Sequence, residues 1–261
     1  MKALYIASTG MAAQERNVEV ISNNIANMRT TGFKRQRAEF QDLLYQQHRR
    51  AGSQTSSTGT MVPVGVEIGS GVKTAATARV MSQGNVAPTQ KELDVAIQGD
   101  GFFVVQMPDG RTGYTRDGSF ERDTTGQIVN VDGYTIEPGI VIPASASSIS
   151  ISADGVVEAY LDNESTPTQL GQFQLANFVN KAGLESVGQN LFVETASSGT
   201  AETGVPAGDT LGSLLQRYLE LSNVNAVTEI ADLISAQRAY EMNSRVISAA
   251  DEMLSATANL R

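Results

Sequence analysis

The chain has 261 residues, of which 41% are apolar, 6% aromatic and 18% charged, with no Cys, no Trp and a single His. Without Cys there is no disulfide, thiolate nucleophile, iron–sulfur cluster or Cys-based zinc site. One imidazole, His48, leaves no site that needs two, and no apolar run approaches the ~18 residues of a membrane-spanning helix. The net charge of −9 is uneven: residues 1–50 hold eight Lys/Arg against four Asp/Glu, so the remainder is strongly acidic, which argues against general nucleic-acid binding.

Residues 1–28 read as a helix. Leu4, Met11, Val18 and Ile25 recur every seven residues, and Ile21 and Met28 add an offset of three. This stripe is narrower than that of a globular core helix. The helix is expected to fail near Thr30-Thr31-Gly32, where β-branched residues meet a Gly. The segment lacks the apolar core and cleavage pattern of a secretory signal, so the chain is expected either to stay in the cytoplasm or to leave by a route that cuts no signal.

Residues 46–60 are polar and of low complexity, and read as a loop or a segment ordered by a partner. Val62, Val64, Val66 and Ile68 then alternate with Pro63, Gly65 and Glu67, a period-2 strand that Pro63 places at a sheet edge. Val72–Val80 alternates more weakly. Residues 93–178 are strand-rich, with Asp-Gly pairs at 109–110, 117–118, 132–133 and 154–155 that suit tight hairpin turns.

From Val227 to Leu260 there is neither Pro nor Gly. Leu233, Tyr240, Ile247 and Leu254 recur every seven residues, and small residues such as Ala236, Asn243 and Ala250 fill the offset of three. So long a helical pattern suggests a coiled coil. The predicted architecture is α+β: N- and C-terminal helices forming a coiled-coil layer, with an antiparallel β-rich domain inserted between them. The expected boundaries are 1–40 for the first helix, 41–89 for an extended connector, 90–205 for the β domain and 206–261 for a connector and the last helix. Two helices with narrow stripes leave apolar surface that other copies would cover, so Leu4, Met11, Val18, Ile21, Ile25, Leu233, Tyr240, Ile247 and Leu254 are the candidate subunit-interface residues.

The chemical motifs are weak. No GxxxxGK[ST] occurs, and Gly69-Ser70-Gly71 and Gly99-Asp100-Gly101 are isolated triplets that read as turn glycines. Asn130-Val131-Asp132-Gly133 resembles part of a calcium loop but lacks the Glu six positions after the Gly. His48 lies in a solvated run with no Ser or Asp aligned to it, and Asp117 and Glu121 are better explained as surface-turn acids than as a glycosidase pair. The run Lys34-Arg35-Gln36-Arg37 lacks interleaved aromatics and is read as contacting an acidic neighbouring subunit. No catalytic residue, cofactor or metal is expected.

Three motifs together carry a family resemblance. Asn23-Asn24-Ile25-Ala26-Asn27, Thr30 and Gly32-Phe33-Lys34 are similar to the N-terminal signature of bacterial flagellar rod and hook axial proteins. Ser222-Asn223-Val224-Asn225, Glu229, Gln237-Arg238-Ala239-Tyr240-Glu241 and Asn243-Ser244 are similar to the C-terminal one, and Gly99–Phe103 with Tyr114–Phe120 resembles the shared β-domain motif. Residues 45–71 and 182–191 most resemble the distal-rod branch. The resemblance implies a structural subunit, exported unfolded through the flagellar type III apparatus without a cleaved signal, that polymerises into a hollow rigid tube carrying motor torque to the hook. It implies a place in the periplasm-spanning rod of the basal body. Its implied partners are further copies of itself, proximal-rod and hook-side axial proteins, the surrounding rings and the rod cap. A segment within residues 46–71 would bridge neighbouring subunits. The competing readings are a proximal-rod or hook-type subunit and, from another class, a secreted enzyme or binding module acting on peptidoglycan.

Overall fold

The computed structural model describes residues 2–52, 63–161 and 166–259. Residues 53–62, which hold most of the polar segment and the first residue of the alternating run, lie outside the described residues, as does Leu260. The fold is α+β, with one long helix near each end of the chain and short strands between them. The chain divides into two compact units, one of residues 1–25, 36–78 and 225–261, the other of residues 26–35 and 79–224.

The first unit is built on α1 (Lys2–Ala26) and α2 (Ala226–Asn259). Asn225 starts α2: its side-chain oxygen accepts from the backbone N–H groups of Val227 (3.0 Å) and Thr228 (3.4 Å), two donors that the first turn otherwise leaves without partners. The helices run antiparallel, with Asn24 near the end of α1 bonded to Glu229 near the start of α2 and Gly10 set against Asn243. A Cβ at Gly10 would lie 2.9 Å from the Asn243 amide nitrogen, so the approach there depends on Gly.

Two ribbons complete this unit. β1 (Gln36–Asp42) pairs with a later strand, and β2 (Gln46–Arg49) pairs with β3 (Val66–Ile68). The partner of β1 is β4 (Val72–Arg79). The expected loop is therefore a strand over its first four residues. Polarity does not prevent this, because β3 supplies the antiparallel ladder and Gln47 donates to Glu67 across it at 3.0 Å.

The second unit is an antiparallel β structure. β5 (Val86–Pro88) pairs with Tyr218–Glu220, and β6 (Val95–Gln98) pairs with Ser213–Gln216. Its largest sheet centres on β7 (Phe102–Gln106) and β8 (Thr112–Thr115). The free edge of β7 is shared, Phe102 and Phe103 pairing with Ala176 and Leu175, Val105 and Gln106 with Ile136 and Thr135. Alternate side chains of β7 enter two separate cores. Phe103 and Val105 join Val95, Ile97, Phe120, Ile128 and Phe173, while Phe102 and Val104 join Tyr114, Phe178 and Phe192. Burial on both faces explains why this strand reads as a continuous apolar run rather than an alternating one. The few aromatics are concentrated here, with Phe103 edge-on to Phe120 at 4.9 Å and Tyr114 edge-on to Phe178 at 4.8 Å, a geometry that adds to their burial. Of the four Asp-Gly pairs, Asp117-Gly118 closes no hairpin. It passes beside β6, where Val95 N–H donates to the Gly118 carbonyl.

Candidate assembly site

In the helical unit, the sequence brings three distant segments to Asn24. Its amide oxygen accepts from Gln36 N–H at 2.8 Å, and its NH2 donates to Gln36 C=O at 2.8 Å and to the Glu229 carboxylate at 3.1 Å. One amide thus pairs with the first residue of β1 as another strand would, while also joining α1 to α2. Asn24 and Glu229 are both buried. In that setting, loss of one partner leaves the other unsatisfied.

The apolar residues that the two helices bury are mostly small: Ala7, Ala13, Ala236 and Ala250, with Ile21 as the exception. The larger candidate residues lie beside them. Leu4, Met11, Val18, Ile25, Leu233 and Ile247 are half-buried, while Tyr240 and Leu254 are exposed. Other large apolar side chains of α2 are more open still, among them Val227 at 77% and Met242 at 61% exposure, with Ile230, Ile234 and Val246 also exposed. Between the helices runs a groove of about 590 Å³ lined by Glu15, Val18, Glu19, Ser22, Gln237, Tyr240 and Glu241. Of the C-terminal signature, Gln237 and Tyr240 thus line this groove, Asn243 faces Gly10, and Arg238 lies exposed on α2.

In the β unit, the other signature residues meet at a buried cluster of charge. Lys34 is 1% exposed, its ammonium bonded to the Glu220 carboxylate and to Ser82 C=O. Glu220 also accepts from Gly84 N–H at 2.8 Å and from Arg116 at 3.4 Å, and Arg116 donates to Gly99 C=O at 2.7 Å. Two cations share one carboxylate here. Burial holds the Lys34 ammonium below its usual range, against the opposing pull of Glu220, and burial likewise lowers Arg116. The expectation that Lys34 meets a neighbouring subunit is corrected: its partner is within the chain, because the backbone on both sides of it is tied to the C-terminal motif. Asn223 accepts from Arg35 N–H at 2.7 Å and donates to the carbonyls of Val80 and Ser82, Asn223 N–H donates to Phe33 C=O, and Gly32 N–H donates to Glu220 C=O. Gly32 has φ of +67°, and a Cβ there would lie 2.7 Å from Asp117 N, so a side chain fits neither the turn nor the space. At the start of the same turn, Asn27 accepts from the Thr30 hydroxyl at 3.1 Å. Asn23 is exposed on α1.

Sequence reasoning singled out many of these residues as motif members but missed Arg116 with Glu220, and Asn24 with Gln36. Each pair spans residues with no local pattern to join them. The remaining candidates are dispersed. His48 is exposed on β2. Asp117 accepts from Ser119 and Glu121 from Lys91, so the two acids serve different partners. Asn130 accepts from the N–H groups of Asp132 and Tyr134, as a turn former does. Among the described residues, no three His, Cys, Asp or Glu side chains gather as metal ligands, and no helix is long and apolar enough to cross a membrane.

One unit is a helix pair with exposed apolar shoulders and the other is a fully cored β unit, the division expected of a structural subunit rather than of an enzyme. Comparison with known proteins gives this class a definite identity. The family model for flagella basal body rod proteins matches residues 4–34, the D1 domain of the flagellar hook protein FlgE/F/G matches residues 96–159, and the C-terminal region of the flagellar basal body rod FlgEFG proteins matches residues 215–260. The flagellar basal-body rod protein FlgG of Caulobacter vibrioides is 58% identical over the whole of both chains. The protein of the same name from Agrobacterium fabrum is 52% identical, over 98% of this chain and 97% of its own, and that from Bacillus subtilis is 36% identical over 100% and 99%. The chain belongs to the family of flagellar basal-body rod proteins FlgG, which are structural proteins and not enzymes.

Proposed function

We propose that the chain is a subunit of the distal rod and polymerises into a hollow, rigid helical tube that carries torque to the hook and encloses the export channel. In this reading α1 and α2 form an inner coiled-coil layer within the segments 1–40 and 206–261, the β domain at 90–205 lies outside it, and residues 41–89 connect them. The subunit travels unfolded through the type III export apparatus without a cleaved signal, and in the periplasm meets proximal-rod and hook-side axial proteins, the rings and the cap.

The observation that carries this reading is the row of large apolar side chains left open on α2, Val227, Ile230, Ile234, Met242 and Val246. A helix that buries alanines and exposes such residues is stabilised by packing that one copy does not supply. The exposed side chains of Leu44, Tyr45, Val64 and Ile68 around the β2–β3 ribbon offer a second contact, a sheet edge available for lateral bridging. The test is assembly of the purified chain, followed by sedimentation and electron microscopy. Wild-type protein is expected to form straight tubes, and Leu254→Asp to remain soluble with its β unit folded. Tubes of normal length from Leu254→Asp would overturn the assignment of this stripe to subunit contacts.

A further inference from the structure

Two sheets of the β unit end beside one another. The largest sheet ends at the strand Glu121–Arg122, and a sheet of three strands ends at the strand Ala146–Ile151. Each has a partner on one side only, Ile128–Val129 for the first and Val156–Leu161 for the second. A groove of about 460 Å³ lies between them, lined by residues 120–122, 146–149 and 91–93. Its apolar lining is the outer layer of the main core: Phe120 belongs to that core, and Leu93, Ala146 and Ile149 pack against it. Both walls are therefore sheet edges, and a sheet edge is a template for a further strand.

One of these edges already holds a peptide-like group. The Gln216 side-chain amide donates to Ile149 C=O at 2.9 Å and accepts from Ile151 N–H at 3.1 Å, the two bonds that a residue of a parallel neighbour would make. A third bond, to Glu92 C=O at 2.8 Å, holds the amide in place. On the other wall, Ser119 bridges to Asp94 just before the strand begins. Each edge is thus closed at one end and left open toward the groove. In the open part Ser147 has no partner in its ladder, the register passing from Ala146 opposite Leu161 to Ser148 opposite Tyr160.

The charge around the groove is unlike that of its unit. Residues 26–35 and 79–224 hold ten Lys/Arg against eighteen Asp/Glu, yet three of those ten, Lys91, Arg122 and Arg217, gather here. Lys91 is paired with Glu121 at 2.9 Å and Arg217 with Glu92 at 3.0 Å. Arg122 is exposed and has no carboxylate partner among the described residues. We infer that the groove takes an extended peptide segment of a partner protein by strand addition, and that this segment is acidic with apolar side chains at alternate positions. The open edges require main-chain donors and acceptors, which any sequence supplies, so the lining sets the preference. Alternate side chains of an extended segment face opposite ways. One set covers Leu93, Phe120 and Ile149, and carboxylates of the other set meet Arg122 and Lys91 at the rim. The contact lies wholly within the β unit and does not rest on the polymer reading above.

The test uses the full-length chain at a concentration where sedimentation shows a monomer, with a fluorescein-labelled short peptide that alternates valine and glutamate. Fluorescence anisotropy is expected to show saturable binding. Arg122→Glu, at an exposed and unpaired side chain, is expected to weaken it about fivefold or more, and Arg122→Lys to keep it near the wild-type level. The same peptide with lysine in place of glutamate is expected to bind about tenfold more weakly. The acidic peptide N-methylated at alternate residues lacks the donors for one edge and is expected to lose binding. Bound peptide is expected to slow amide exchange at residues 120–122 and 146–149 and to leave α1 and α2 unaffected. Absence of saturable binding, equal binding of the lysine or the methylated peptide, or protection confined to other segments would overturn the strand slot. So would an Arg122→Glu chain that self-associates less than wild type yet binds the acidic peptide as well, because the occupant would then be a second copy. Each of these outcomes leaves the polymer reading untouched.

Discussion

The β unit and the helical unit solve the burial problem in opposite ways. The β unit encloses its large side chains, with Phe102, Phe103, Phe120, Phe173, Ile97 and Leu175 all essentially inaccessible. The helical unit encloses alanines and a few polar groups and leaves Val227, Ile230, Met242 and Val246 in solvent. Burial of a large apolar side chain contributes about 1.5–3 kcal/mol. The β unit therefore has the means to offset its own ordering entropy, and on the proposed polymer reading the helical unit gains the corresponding term when another copy covers it. On that reading the chain is a folded piece joined to an assembly piece.

The same lesion placed in the two regions breaks this comparison most directly. Phe103→Asp puts an unpaired carboxylate into the main core and is expected to unfold the β unit, with loss of its thermal transition in calorimetry. Ile230→Asp is expected to leave that transition unmoved and to abolish pelletable filaments. If Ile230→Asp also melted the β transition, the two regions would not be separable.

The charged cluster provides the next contrast. Glu220→Gln leaves Lys34 and Arg116 buried without their carboxylate and is expected to cost the β unit about 3–5 kcal/mol in denaturant unfolding. Lys34→Met removes a cation and leaves Glu220 with Arg116 and the Gly84 N–H, so its cost is expected to be clearly smaller. Equal costs would contradict the view that one carboxylate serves two cations.

In the helical unit, Asn24→Ala removes both bonds to Gln36 and the bond to Glu229. It is expected to weaken that unit by about 1–3 kcal/mol, read as a raised critical concentration for assembly with β-unit stability unchanged.

The smallest effect is a pH dependence. Burial holds the Lys34 ammonium below the usual lysine value of 10.5. The folded β unit therefore binds this proton more weakly than the unfolded chain does. Stability gains from this group as pH rises through the lowered folded value toward 10.5, and below that window the gain is absent. Tyr114, whose hydroxyl burial pushes above its usual 10.0, acts in the opposite sense. The quantity to measure is thus the difference in stability between wild type and Lys34→Met across the alkaline range. Relative to the variant, wild type is expected to improve as pH rises, and a flat difference would contradict the direction.

The legible parts of the fold are those with local periodicity. The seven-residue recurrence of Leu4, Met11 and Val18 and the Gly- and Pro-free run after Val227 mark α1 and α2, and the apolar run at 102–105 marks the central strand. The strand at Gln46–Arg49 was not legible, because its stabilising partner is β3 some twenty residues away and its own side chains are polar. Asp117-Gly118 has turn composition, yet its neighbour β6 sets its conformation. The candidate site was legible as motifs and not as contacts. Asn24, Gly32, Lys34 and Asn223 stood out by resemblance, but their meeting with Gln36, Asp117, Glu220 and Ser82 is a product of the tertiary fold. On α2 the small residues Ala236 and Ala250 were legible as the offset of three, but on α1 the buried Ala7 and Ala13 lie off the stripe of large residues and have too little hydrophobicity to register in a pattern.

The central claim, that one unit is complete and the other awaits its neighbours, is tested most directly by amide hydrogen exchange on the verified monomer and on the assembled filament. In the monomer, the amides of β7 and β8 are expected to exchange only through global unfolding of the β unit, while those of α1 and α2 exchange orders of magnitude faster through local opening. In the filament, both sets are expected to be protected. Helices protected in the monomer to the same degree as β7 would contradict the account.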